Sequence, residues 1–262
     1  MSAAPGRPKQ ARTAAEGEAT PVTAEGWEPH WLQDHAGRIT EPQAWRGVES
    51  QYASSTTLLV DSLDEHDALE RLLEGSKPPL PEAADPRKHF LLVTPFRYTP
   101  LHDSRFRQAG QGRHGLWYGA RQLQGACAEV AYWRMRFMQD SAGLASSKII
   151  TKHTFFAAEV AGNGIDLMAP PWNAFEEAWK HSGDYAETHR LSAAAQAAGI
   201  QVIRYESARA PGCACVAVFT PDALGEPRKG LDASRQQWTC TATREHVMMA
   251  RDGGAGRYEW PG

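Results

Sequence analysis

GLWYGARQLQGACAEVAYWRMRFMQ (residues 115–139) changes periodicity midway, and that change decides the fold. The opening GLWYGA reads as a buried strand closed by Gly119. From there the apolar residues recur at Leu123, Cys127, Val130, Trp133 (or Arg134) and Phe137, the spacing of one helix face. Residues 122–139 are therefore expected to be helical, with Glu129 near the first turns. A strand that feeds directly into an amphipathic helix points to a mixed α/β domain.

Outward from this unit the same grammar continues. Upstream, HFLLVTP (89–95) reads as another buried strand. Downstream, KHTFFAAEV (152–160) is a strand candidate, and WNAFEEAWK and YAETHRLSAAAQAAG read as helices, the second stopped by Gly199. IQVIRYES and CACVAVFT form two further strands around the turn ARAPG, built on Pro211 and Gly212. Beyond Gly225 the signal weakens to a terminal strand or two in QQWTCTATREHVMMARD.

Towards the N-terminus, residues 1–26 hold almost no large apolar group and read as a disordered leader. Trp27, Trp31 and Trp45 are spaced as anchors of short helical pieces. DSLDEHDALERLLEG then reads as a helix with Asp61 as N-cap, ended by Gly75 before Pro78 and Pro79. The expected organisation is a leader (1–26), a helical segment with a connector (27–81), a central domain (82–225) and a C-terminal extension (226–262). The expected fold class is α+β: a small curved sheet with flanking helices.

Bulk properties narrow the function. A net charge of −3 over 262 residues gives no electrostatic reason to expect nucleic-acid binding. No apolar run has the length of a membrane span, and the start lacks the apolar core of a signal peptide. Four cysteines without an export signal fit reduced thiols in the cytoplasm.

FRYTPLHDSRFR (96–107) stands out against that background, with Arg97, Arg105 and Arg107 interleaved with Tyr98, His102 and Ser104. Guanidinium forks match phosphate or carboxylate. Taken in order, FRYTPLHDSRFR, GLWYGA, ACAEVAYWR and IRYESARAPG resemble the RES-domain family, the toxins of a class of bacterial toxin–antitoxin pairs. The family is named for an arginine, a glutamate and a serine, and Arg97, Glu129 and Ser207 match them. The resemblance spans about residues 90–220 and implies a fold similar to bacterial ADP-ribosyltransferases. It implies consumption of NAD as substrate, with no other cofactor, and an Xre-type helix-turn-helix antitoxin as partner.

The residues suit cleavage of the nicotinamide–ribose bond, with transfer to phosphate, water or a protein side chain. Arg97 and Arg105 are candidates for the pyrophosphate, with Tyr98 and Ser104 beside them. The transition state makes the ribose cationic, so a fixed carboxylate is favoured there, and Glu129 is the choice. Tyr118 is a candidate to stack on nicotinamide or to donate a hydrogen bond, and Ser207 to hold Glu129 or a ribose hydroxyl.

Each residue has a plainer alternative. Glu129 is open to a helix-dipole role, Tyr118 to a core role, Ser207 to a turn role, and Arg97 to pairing with an acid such as Asp103. Arg107, Arg113 and Arg121 are placed on the solvated face, and His102 and His114 read as structural groups. A different chemistry is also open: CAE (127–129) and PGCAC (211–215) approach the zinc nucleoside deaminase signature, but with one residue too few between the thiols. In a strand, Cys213 and Cys215 share one face and pack as buried thiols, so no metal is expected. A nucleotide-binding module without catalysis is the remaining alternative.

Overall fold

The computed structural model describes residues 26–50, 59–80, 85, 87–110 and 114–262. The leader at 1–25, Arg113 and residues 81–84 of the connector lie outside the described residues. The helices are α1 (Trp31–Asp34), α2 (Leu63–Ser76), α3 (Phe90–Val93), α4 (Leu123–Asp140), α5 (Glu176–Lys180) and α6 (Ala186–Ala197). The strands are β1 (Gly37–Glu49), β2 (Trp117–Ala120), β3 (Ile149–Asp166), β4 (Val202–Glu206), β5 (Ala214–Val218), β6 (Leu224–Gly225), β7 (Gln236–Ala242), β8 (His246–Arg251) and β9 (Arg257–Pro261).

Among the described residues all nine strands join one sheet of mixed orientation, in the order β1-β2-β5-β4-β3-β7-β8-β9, with β6 on β3. The β3–β4 pairing is parallel and the others are antiparallel. β1 bonds β3 over most of its length and meets β2 at Trp45↔Ala120, so β1, β2, β5, β4 and β3 close into a ring of pairings. Alternate residues therefore serve opposite faces. Ala44, Trp117, Phe156, Val216 and Val218 pack together on one face. Trp45, Phe155, Ala157, Cys215 and Ala217 join the core on the other, with Cys127, Ala131 and Met135 of α4. At Gly125 a Cβ would collide with Cys213 Sγ, so the absent side chain lets the first turn of α4 sit directly on the residue that leads into β5.

Several expectations need correcting. HFLLVTP is helical, not a strand: α3 runs into a 3-10 turn at Thr94–Phe96. The His89 ring accepts from Leu91 N–H at 3.2 Å and Thr94 Oγ1 donates to the Phe90 carbonyl at 2.7 Å. A short apolar run does not distinguish strand from helix by periodicity, and here local side-chain bonds favour the helix.

The N-terminal segment is helical only in part. α2 forms as expected, but its N-cap is Ser62, whose Oγ accepts from Glu65 N–H at 3.2 Å, and it runs past Gly75 to Ser76. Gly37–Glu49 is a strand, not a helical piece, and Trp45 belongs to it. Its alternation is hidden by a bulge between Glu41 and Ala44, where Pro42 sits without breaking the ladder. Trp31 does open a short helix, α1, and Trp27 and Trp31 pack against Trp172, with ring centroids 5.8 and 5.6 Å away. Residues 226–262 are likewise part of the sheet, through β7, β8 and β9, rather than an extension of it.

Candidate active site

Glu129 lies on the second turn of α4, facing the open side of the sheet at the mouth of β4 and β5. Ser207 Oγ donates to Glu129 Oε1 at 2.6 Å, and the serine is fully buried. The same oxygen accepts from Arg209 N–H at 3.0 Å and Ala210 N–H at 3.1 Å. A hydroxyl has two lone pairs and one hydrogen. The two backbone donors occupy the lone pairs, so the hydrogen is directed at the carboxylate. One oxygen thus closes the turn and holds the carboxylate.

Around Glu129 a cleft of about 490 Å³ opens between α4, β1, β2 and the segment after α5. Tyr118 enters from β2, its hydroxyl 2.9 Å from Ser104 Oγ and accepting from Phe106 N–H at 3.2 Å. Burial raises its pKa to about 12, so the phenol stays protonated. Ser104 and Arg107 exchange both backbone hydrogen bonds, which folds 104–107 into a tight hairpin. Arg105, at the tip, lines the cleft, gives Nη1 to the Trp179 and His181 carbonyls and lies 5.3 Å over the Tyr185 ring.

Two arginines that the sequence reading did not single out complete the site. Arg46 of β1 donates from Nη1 to the Tyr118 carbonyl at 3.0 Å, while its buried Nε has no partner. Burial lowers its pKa to about 10, which still leaves it a cation at neutral pH. Arg209 stacks over the Tyr132 ring at 3.4 Å and donates to the Ser182 carbonyl. Arg46 escaped notice because its strand did; the only signal was the Trp-Arg pair in AWRGVE, next to Trp45.

Not every expected residue reaches the cleft. Arg97 does not line it: Arg97 Nη1 pairs with Glu74 Oε1 of α2 at 2.8 Å, and Asp103 instead accepts from Ala109 N–H. Tyr98, 42% exposed, is also outside it. Ser104, Arg105, Tyr118 and Glu129 line the cleft, and Ser207 stands behind Glu129. Arg107 is buried rather than solvated. Cys213 and Cys215 do share one buried face, and Cys215 reaches the cleft wall. Among the described residues no group of three His, Cys, Asp or Glu side chains could hold a metal ion.

His153 closes the cleft beneath the Arg134–Glu49 ion pair (2.6 Å). Burial first, and Arg134 second, lower its pKa from an ordinary 6.5 to about 4. The unfolded chain thus binds more protons between those values, and stability rises with pH there. The contribution is fully present above pH 6.5 and is lost as pH falls through about 4. It is expected to reach on the order of 3 kcal/mol. Thermal unfolding scanned from pH 7 to 4 should show this slope, flattened in His153→Leu; equal slopes would assign the acid lability elsewhere.

Fold and cleft together define an α+β protein whose open site gathers arginines and tyrosines around one hydroxyl-held carboxylate. The chain belongs to the RES-domain family, whose sequence model matches residues 79–243. That match starts before α3 and ends within the turn after β7, a wider span than the expected 82–225. No curated protein matches the sequence. Among solved structures it is similar to a chain in the crystal structure of the M. tuberculosis MbcT–MbcA toxin–antitoxin complex. The two are 12% identical, the similarity covers 82% of this chain and 92% of that one, and the TM-score is 0.46. No helix among the described residues is long and apolar enough to cross a membrane.

Proposed function

We propose that this protein is the toxin of a toxin–antitoxin pair and cleaves NAD at the nicotinamide–ribose bond. The observation that carries the reading is the Glu129 carboxylate, fixed by Ser207 at 2.6 Å inside a cleft that also holds Arg46, Arg105 and Arg209. The cations suit the pyrophosphate, Arg46 above all, because its buried Nε has no partner in the protein. The aromatic side chains Tyr118, Tyr132 and Tyr185 offer ring faces for the nicotinamide or the sugar.

In the reaction the bond from ribose C1′ to the nicotinamide nitrogen breaks. Its electron pair leaves with neutral nicotinamide, and the ribose becomes an oxocarbenium ion. Glu129, preorganised and negative, stabilises that charge more than it stabilises bound NAD. A phosphate oxygen, water or a protein nucleophile then bonds to C1′. The family further suggests an Xre-type antitoxin that covers the cleft.

The test is incubation of the purified protein with NAD, with and without phosphate, followed by product analysis. Nicotinamide release is expected. A phosphorylated ADP-ribose formed only with phosphate marks phosphorolysis, free ADP-ribose marks hydrolysis, and labelled protein marks transfer. NAD left intact in every arm would overturn the reading.

A further inference from the structure

The hairpin 104–107 has a second side. Ser104 and Arg105 face the cleft, while Phe106 and Arg107 line a separate cavity of about 510 Å³ against α6. α6 grips the hairpin backbone there: the His189 ring nitrogen Nε2 meets the Ser104 carbonyl at 2.8 Å, and Ser192 Oγ donates to the Phe106 carbonyl at 2.7 Å. A carbonyl only accepts, so His189 carries its hydrogen on Nε2.

Arg107 is the anomaly of this region. Its residue is 9% exposed, its Nε is buried without a partner, and no described residue bonds its other guanidinium nitrogens. Burial pulls its pKa below the usual guanidinium value. The other buried arginine among the described residues, Arg105, is bonded to two carbonyls. An unpaired buried guanidinium is among the costlier things a fold can retain. Arg190, the other arginine on this cavity, is bonded to Glu187 and lies over the Trp27 ring.

We infer that the cavity behind the hairpin is an anion site in which Arg107 binds a phosphate group, beside Gln108. The planar guanidinium fork matches two oxygens of such a group, and the cavity has room for it. An anion held there braces the hairpin from behind and so fixes Ser104 and Arg105 on the cleft side. The site stands apart from NAD cleavage and does not depend on that reading.

Thermal unfolding and calorimetry with inorganic phosphate, against chloride at equal ionic strength, test the site. Phosphate is expected to raise the unfolding temperature of the wild type. In Arg107→Met the response should vanish, while the unfolding temperature in chloride stays level or rises, because a buried unpaired charge has been removed. Arg107→Lys, which keeps the charge but loses the fork, should bind phosphate roughly tenfold more weakly. A parallel titration with AMP separates the sources: free phosphate binding tighter marks a site for the ion, AMP binding tighter marks a nucleotide's phosphate. Either preference must disappear with Arg107→Met. The inference is overturned if Arg107→Met keeps the full response, if the response is lost in Arg46→Lys instead, or if the wild type shows none.

Discussion

Glu129→Gln is expected to lose roughly a hundred- to a thousand-fold in NAD turnover, the usual cost of removing a preorganised electrostatic contact. Binding of NAD should change little, since the carboxylate acts on the charge that develops as the bond breaks. The variant keeps the local structure: Gln retains an oxygen that can accept from Ser207, and Ser207 retains both backbone donors. The helix-dipole alternative has little ground to stand on. α4 begins at Leu123, carries no acidic residue in its first turn, and places Glu129 in its second. Dipole effects fade beyond the first turn. Thermal unfolding of Glu129→Gln should therefore match the wild type to within about 0.5 kcal/mol. In cells the same change should abolish growth arrest while soluble protein still accumulates. A variant that consumes NAD at the wild-type rate would remove Glu129 from the chemistry.

The elements legible in the sequence are those whose side chains have one job each. β2 reads as a short apolar run because both its faces are covered. α4 shows its helical recurrence although Trp133 and Phe137 of that stripe are exposed and Cys127, Ala131 and Met135 face the core. The β4–β5 hairpin announces itself through Pro211 and Gly212. Glu129 and Ser207 were picked out by the family resemblance, not by the period of these elements. β1 was not legible. A bulge at Pro42 shifts its register midway, and it carries the buried acid Glu41 and the cleft cation Arg46 among its apolar residues. Strand closure through pairing with both β2 and β3 is a long-range fact that no local pattern encodes.

The arginine-rich stretch shows a related limit. Three arginines within 97–107 were read as one cluster, yet they point in three directions. Arg97 reaches α2, Arg105 the cleft, and Arg107 the cavity against α6. In a loop without periodicity, spacing does not give direction. Direction here is imposed by the hairpin at Ser104–Arg107 and by the α6 side chains His189 and Ser192, some 85 residues downstream.

Substituting Arg46 and Arg97 in parallel separates the cleft assignment from the motif assignment. Arg46→Lys is expected to weaken NAD binding roughly ten- to hundredfold, as loss of a charge-assisted contact worth about 1.5–3 kcal/mol implies. A lysine keeps the charge but cannot both hold the Tyr118 carbonyl and leave a planar pair of donors for the pyrophosphate. Arg97→Lys should leave NAD affinity within about twofold of wild type. Its Nη1 is paired with Glu74 and the residue does not line the cleft, so its loss falls on the contact with α2. Calorimetry on Glu129→Gln backgrounds keeps NAD intact during the measurement and reads affinity alone. The opposite pattern, with Arg97→Lys weakening NAD and Arg46→Lys neutral, would mean that the cleft binds its dinucleotide through the arginine-rich loop after all. The unpaired Nε of Arg46 would then need a different partner.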